Sequence, residues 1–92
     1  MKKLELQHIN FDTRETYYGK INVPKLTREF FDKGYNIPLW GTDKQFEQSG
    51  LQIKDNEQAV KLVFVSEKEE TLHYPVYNFS QTEESKKVYW TD

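Results

Sequence analysis

The residues able to do covalent or metal chemistry are few. His8 and His73 lie far apart in the chain, with no second ligand at metal spacing and no His-Glu-x-x-His run. There is no Cys, which excludes disulfides, thiolate zinc sites, iron–sulfur clusters and thiol nucleophiles. Only four Gly occur, none spaced as Gly-x-Gly-x-x-Gly, so no Gly-rich phosphate loop is present. Glu69 and Glu70 are adjacent, but they lie in polar sequence that does not mark them as a catalytic carboxylate pair. No catalytic residue, metal or cofactor is therefore expected. What the chain does have is rings, with six Phe, six Tyr and two Trp making up 15% of the residues. It also has cations in its first half: Lys20, Lys25, Arg28, Lys33, Lys44 and Lys54 are the candidate contacts for an anionic ligand.

The charge balance sets limits on that ligand. Thirteen Lys and Arg against fifteen Asp and Glu give a net charge of −2, which argues against a histone-like binder held by bulk charge. The distribution is uneven, +2 over residues 1–54 and −4 over residues 55–92. Ninety-two residues suffice for one domain, expected to span 1–92. A hydrophobic fraction of 36% is low, but a disordered chain is poor in aromatics, so this one is expected to fold around rings. The N-terminus turns polar at once, and the longest apolar run is Leu62-Val63-Phe64-Val65, far short of the about 20 residues of a membrane span. A soluble, cytoplasmic protein with no membrane partner is expected.

The elements follow from periodicity and punctuation. Leu4, Leu6 and Ile9 read as a short strand, and Asn10 to Gly19 as polar turns. Val23, Leu26, Phe30, Phe31 and Tyr35 form the apolar stripe of an amphipathic helix, with Asn22 as its N-cap, Pro24 in its first turn and Gly34 at its end. Phe30 and Phe31 are both expected in the core. Thr42 with Gln45 makes a capping box that opens a second helix, Asp43 to Ser49, ended by Gly50. Leu51 and Ile53 alternate. Residues 60–65 and 72–79 form an antiparallel hairpin around the polar loop Glu67 to Glu70, with Pro75 marking an edge strand or a bulge. Val88-Tyr89-Trp90 is a candidate to close the sheet. The fold class is α+β: two helices packed on a small, mainly antiparallel β-sheet.

One ordered set of motifs is more specific. The chain reads Tyr18-Gly-Lys-Ile-Asn22, then Gly34-Tyr35 with Pro38-x-Trp40-x-Thr42-x-Lys44-Gln45, then Gly50 with Ile53-Lys54, then Tyr77-Asn78 with Gln81-Thr82. Over about residues 10–84 this resembles the N-terminal domain of the ArdC-type antirestriction proteins of plasmids, phages and other mobile elements. The resemblance implies a domain that binds single-stranded DNA. In that family a separate zinc metalloprotease-like domain follows, and this chain ends before any such domain, so the family's metal site is not carried over. The family's Lys-Gly-Glu turn is Asp55-Asn56-Glu57 here, an anion in place of a cation.

For a single-strand-binding domain the residues themselves suggest these roles. Tyr17 and Tyr18, in a polar segment without apolar period, are candidates to stack on bases, with Trp40 divided between stacking and a place in the core. Thr42, Lys44 and Gln45 at the start of the second helix would hold one phosphate, and Lys20 and Lys54 would extend the track. Asn22 and Thr42 also read as helix caps, and Asn78 and Gln81 as a turn beside the last strand. The expected function is a non-catalytic single-stranded-DNA-binding module, with antirestriction as the candidate setting and with weak to moderate, salt-sensitive affinity. Two other readings stay open: an inhibitor that binds a host defence protein through Tyr and Trp anchors, and a homodimeric structural domain pairing through strand edges.

Overall fold

The stripe at Leu26 and Phe30 does become a helix, and both side chains are buried. A computed structural model of the chain describes residues 6–85. Along it run β1 (Ile9–Asn10), α1 (Asn22–Asp32), β2 (Leu39–Gly41), α2 (Asp43–Gln48), β3 (Leu51–Ile53), β4 (Val60–Val65), β5 (Thr71–Asn78), a 3-10 turn (Phe79–Gln81) and β6 (Thr82–Glu84). The proposed closing strand at Val88-Tyr89-Trp90 lies outside the described residues. No helix among the described residues is long and apolar enough to cross a membrane.

The helix α1 starts and stops for different reasons than its sequence suggests. Its N-cap is Ile21, with no side-chain cap bond, and Asn22 is its first residue. The Asn22 amide is used elsewhere: its Oδ1 accepts from the Val63 N–H at 2.8 Å and its Nδ2 donates to the Val63 carbonyl at 3.0 Å. The C-terminus is a Schellman motif, with Gly34 at φ 68°, its N–H on the Phe31 carbonyl and the Tyr35 N–H on the Phe30 carbonyl. Phe31 is not in the core: it is 66% exposed. Neighbouring helical residues point about 100° apart, so Phe30 turning inward leaves Phe31 outside.

Four strands form one mixed sheet in the order β1-β2-β5-β4, and β3 pairs with β6 in a second. β1 runs parallel to β2, and the remaining pairs are antiparallel. The hairpin forms with Val60 opposite Val76 and Val65 opposite Thr71. Pro75 sits in β5, a strand with neighbours on both sides, without a bulge. It is accommodated because β2 is short: β2 reaches only Tyr77 and Asn78, so the β5 backbone beside Pro75 faces β4 alone.

The core is Leu26, Phe30, Trp40, Val60, Leu62 and Val76, with Leu6, Tyr17 and Tyr35 packed against it. A second apolar knot joins α2 to the N-terminal loop, where Phe11 stacks on buried Phe46 with centroids 4.3 Å apart. Phe11 crosses Gly41, where a Cβ would stand 2.7 Å from the ring. The Thr42–Gln45 capping box is present as read, with the Gln45 N–H on Thr42 Oγ1 at 3.1 Å and the Thr42 N–H on Gln45 Oε1 at 3.0 Å. Asn78 and Gln81 repeat the device at the 3-10 turn, and Asn78 Nδ2 and Gln81 Nε2 then tie that turn to Ile37, Glu57 and Gln58.

Candidate functional site

The face of the hairpin that carries Val60, Leu62 and Val76 into the core continues outward as Phe64 and Tyr74. These rings meet edge to face with centroids 5.2 Å apart, and they are 41% and 44% exposed. They form one wall of an open groove of about 450 Å³, whose floor is Leu62 and Val76. The opposite wall is Asn10, Tyr17, Thr42 and Gln45. No lining residue carries a formal charge.

The polar wall is one hydrogen-bonded chain. Asn10 Nδ2 donates to the Tyr17 hydroxyl at 2.8 Å and to Gln45 Oε1 at 3.0 Å. Asn10 Oδ1 accepts from the N–H groups of Asp12 and Thr13, so the N-terminal loop holds the amide in place. Burial pushes the Tyr17 phenol above its ordinary pKa, against the smaller opposing effect of the hydrogen bond from Asn10, and keeps it protonated at neutral pH. The groove thus offers flat apolar rings for stacking beside a row of fixed polar groups.

The sequence-derived residues divide. Tyr17, Thr42 and Gln45 come together in the groove. Tyr18 is 84% exposed and lines a recess of about 240 Å³ that shares Asn10, Tyr17 and Phe64 with the groove. Lys20 lies on a third recess, with His8 and Val23. Lys44 lines a separate hollow with Glu47 and Gly50, and Lys54 donates to the Ser80 carbonyl at 3.3 Å. Neither cation lines the groove. At the start of α2, the six-residue helix that was to hold a phosphate, the Gln45 N–H is already taken by Thr42.

Of the two places left open for Trp40, it takes the core and not the stacking surface. It is 0% exposed, and its Nε1 donates to His8 Nδ1 at 2.9 Å, so its ring offers no face to a ligand. His8 Nε2 lies 2.9 Å from Thr27 Oγ1. With Nδ1 accepting, the ring's one hydrogen sits on Nε2 and is donated to Thr27. Burial lowers the His8 pKa accordingly. Among the described residues no group of three or more His, Asp or Glu could hold a metal ion.

Asn10, Phe64 and Tyr74 were missed in the sequence. The signal for the two rings was there: strict alternation places them on the core face of the hairpin, beyond the length of chain that α1 covers. Asn10 had none, because its partner Gln45 is 35 residues away.

A family model described as the N-terminal domain of anti-restriction factor ArdC matches residues 2–90. No curated protein matches the chain. The Mn(II)-bound crystal structure of the antirestriction protein ArdC from plasmid R388 superposes with a TM-score of 0.73 at 27% identity, over 94% of this chain and 38% of that one. The metal-free structure of the same protein gives 0.66 at 23% identity, over 88% and 34%, a likeness of fold alone. The chain thus spans little more than a third of that protein's length, and by the family match over nearly all its residues it belongs to the family of ArdC N-terminal domains.

Proposed function

We propose that this chain is a non-catalytic module that binds single-stranded DNA in the groove between Tyr17 and the Phe64–Tyr74 pair, in the service of antirestriction. The observation that carries the reading is the groove itself: three aromatic side chains and a fixed polar wall on an open surface. Bases stacked on such rings gain about 1–3 kcal/mol each. A duplex keeps its bases stacked on one another and offers nothing to these rings. Membership of the ArdC N-terminal family supports the same reading. Because the groove is lined by no Lys or Arg, its affinity rests on rings and hydrogen bonds, and its salt dependence is shallow.

Fluorescence anisotropy of a labelled single strand, with the matching duplex as control, tests this. Saturable binding to the single strand that exceeds binding to the duplex is the expected result. Equal binding to both, or to neither, overturns it.

The uncharged lining favours one other reading, an inhibitor that holds a host defence protein through Tyr anchors. A stable complex with such a protein in the absence of any DNA shift decides for it. For the third reading, pairing of strand edges between copies, the Asn22 amide already occupies both backbone groups of Val63 at the outer edge of β4.

A further inference from the structure

The hairpin of β4 and β5 has two backbone edges, and only one of them is covered. The Asn22 amide bonds the N–H and the carbonyl of Val63 from outside the sheet. Both Val63 groups therefore point away from β5, so Val63 and its partner His73 are a pair without ladder bonds. The Ser66 N–H on the Glu70 carbonyl, three residues along, keeps the same alternation. Thr71, His73 and Pro75 accordingly turn their backbone groups away from β4, and Pro75, which has no N–H, costs the hairpin no bond. On that side β2 pairs with Tyr77 and Asn78 and then turns at Thr42 into α2. Among the described residues nothing bonds the N–H groups of Thr71 and His73 or the carbonyls of Thr71, His73 and Pro75, and all three residues are exposed.

The place of the missing strand opens onto the groove, which Thr42 and Gln45 close at one end and Tyr74 and Val76 line. We propose that the open edge of β5 at residues 71–75 takes an extended peptide as an added strand, apolar at the alternate residues that enter the groove and cationic where it leaves along the hairpin tip. Three observations fix that chemistry. The edge repeats N–H and carbonyl groups at every second residue, which is the pattern of a polypeptide strand and not of a nucleic acid. A strand paired there sends every second side chain to the face of Tyr74 and Val76, into a groove whose lining carries no formal charge. β5 itself holds no Asp, Glu, Lys or Arg, the residues that ordinarily guard an edge, whereas the tip beyond it carries Glu67, Glu69 and Glu70 against Lys68 alone. The inference is independent of the single-strand reading, and because both occupants need the groove, each excludes the other.

The test uses a labelled peptide, acetyl-Thr-Val-Thr-Tyr-Thr-Lys-Lys-amide, and two forms of it methylated on backbone nitrogens. One form is methylated on the Thr residues, whose N–H groups face β5 when Val and Tyr enter the groove. The other is methylated on Val and Tyr, whose N–H groups face away. The unmodified peptide is expected to bind saturably and to slow amide hydrogen exchange at Thr71 and His73, read by NMR. Methylation on Thr should weaken binding by about tenfold or more, and methylation on Val and Tyr should leave it nearly unchanged. His73→Pro removes one outward N–H while every ladder bond to β4 remains, and it should weaken binding about tenfold. If that variant does not fold, the exchange rates and the two methylated peptides decide. No saturable binding in the millimolar range, equal binding of the two methylated forms, or binding that leaves exchange at Thr71 and His73 unchanged overturns the proposal and leaves single-strand binding standing. Slowing of the same two amides by oligo-dT and not by the peptide overturns it too, and supports the single-strand reading.

Discussion

The side-chain amide of Asn22 pairs with both the N–H and the carbonyl of Val63, at 2.8 and 3.0 Å, as a neighbouring strand would. β4 is the outer strand of its sheet, and a bare edge is a template for pairing with another chain. One rung of the missing ladder is supplied by Asn22, and Lys25 Nζ covers the Lys61 carbonyl at 3.0 Å. Asn22→Ala leaves both Val63 groups without a partner. It should cost about 1–3 kcal/mol in chemical denaturation. Light scattering should then show a mass that rises with concentration more steeply than the wild type's, and an Asn22→Ala protein of unaltered stability and mass would remove Asn22 from this role.

His8 makes the fold sensitive to acid. Its pKa is lowered by burial from the ordinary value of 6.5, so below 6.5 the unfolded chain takes up a proton that the folded chain resists. The stability that neutral His8 contributes is therefore complete above 6.5 and is lost as pH falls from there toward the lowered value. Protonation also puts a hydrogen on Nδ1, where Trp40 Nε1 donates. Denaturation midpoints between pH 8 and pH 5 should fall on the acid side of 6.5, and His8→Gln should flatten that part of the profile. A parallel fall in His8→Gln would assign the acid sensitivity to other groups.

Trp40→Ala empties the centre of the core and should destabilise by about 3–5 kcal/mol. Gly41→Ala, next to it, adds one methyl that meets the Phe11 ring at 2.7 Å. Since Phe11 is stacked on buried Phe46, the ring has little room to retreat, and a loss of about 1–3 kcal/mol is expected. Urea titrations of the two variants check both values.

The groove residues and the cations should separate in a binding assay. Phe64→Ala and Tyr74→Ala act on partly exposed rings, and each should weaken single-strand binding by about 1–3 kcal/mol while the far-ultraviolet spectrum stays that of the folded protein. Lys44→Glu with Lys54→Glu should change affinity little, because neither side chain lines the groove. The reverse pattern, with the lysine pair dominant and the rings silent, would relocate the binding surface to α2 and the end of β3.

Local patterns were legible because their causes are local. The α1 stripe at Leu26 and Phe30, the Thr42–Gln45 box and the alternating arms of the hairpin each depend on residues a few positions apart, and each appears at its place. Most of the polar residues that carry the family likeness belong to this framework: Asn22, Thr42, Asn78 and Gln81 hold backbone groups, and Trp40 fills the core. The amino-acid sequence by itself therefore determined the fold class and the family. Only the tertiary structure decided the groove. It turned Phe31 outward and Phe30 inward, sent Asn22 to Val63 across 41 residues, set Asn10 against Gln45 across 35, and placed Phe64 and Tyr74 opposite Tyr17. A helix or strand period says which side a residue takes, but which groups meet across the chain is set by how the elements close on one another, and the groove exists only at that closure.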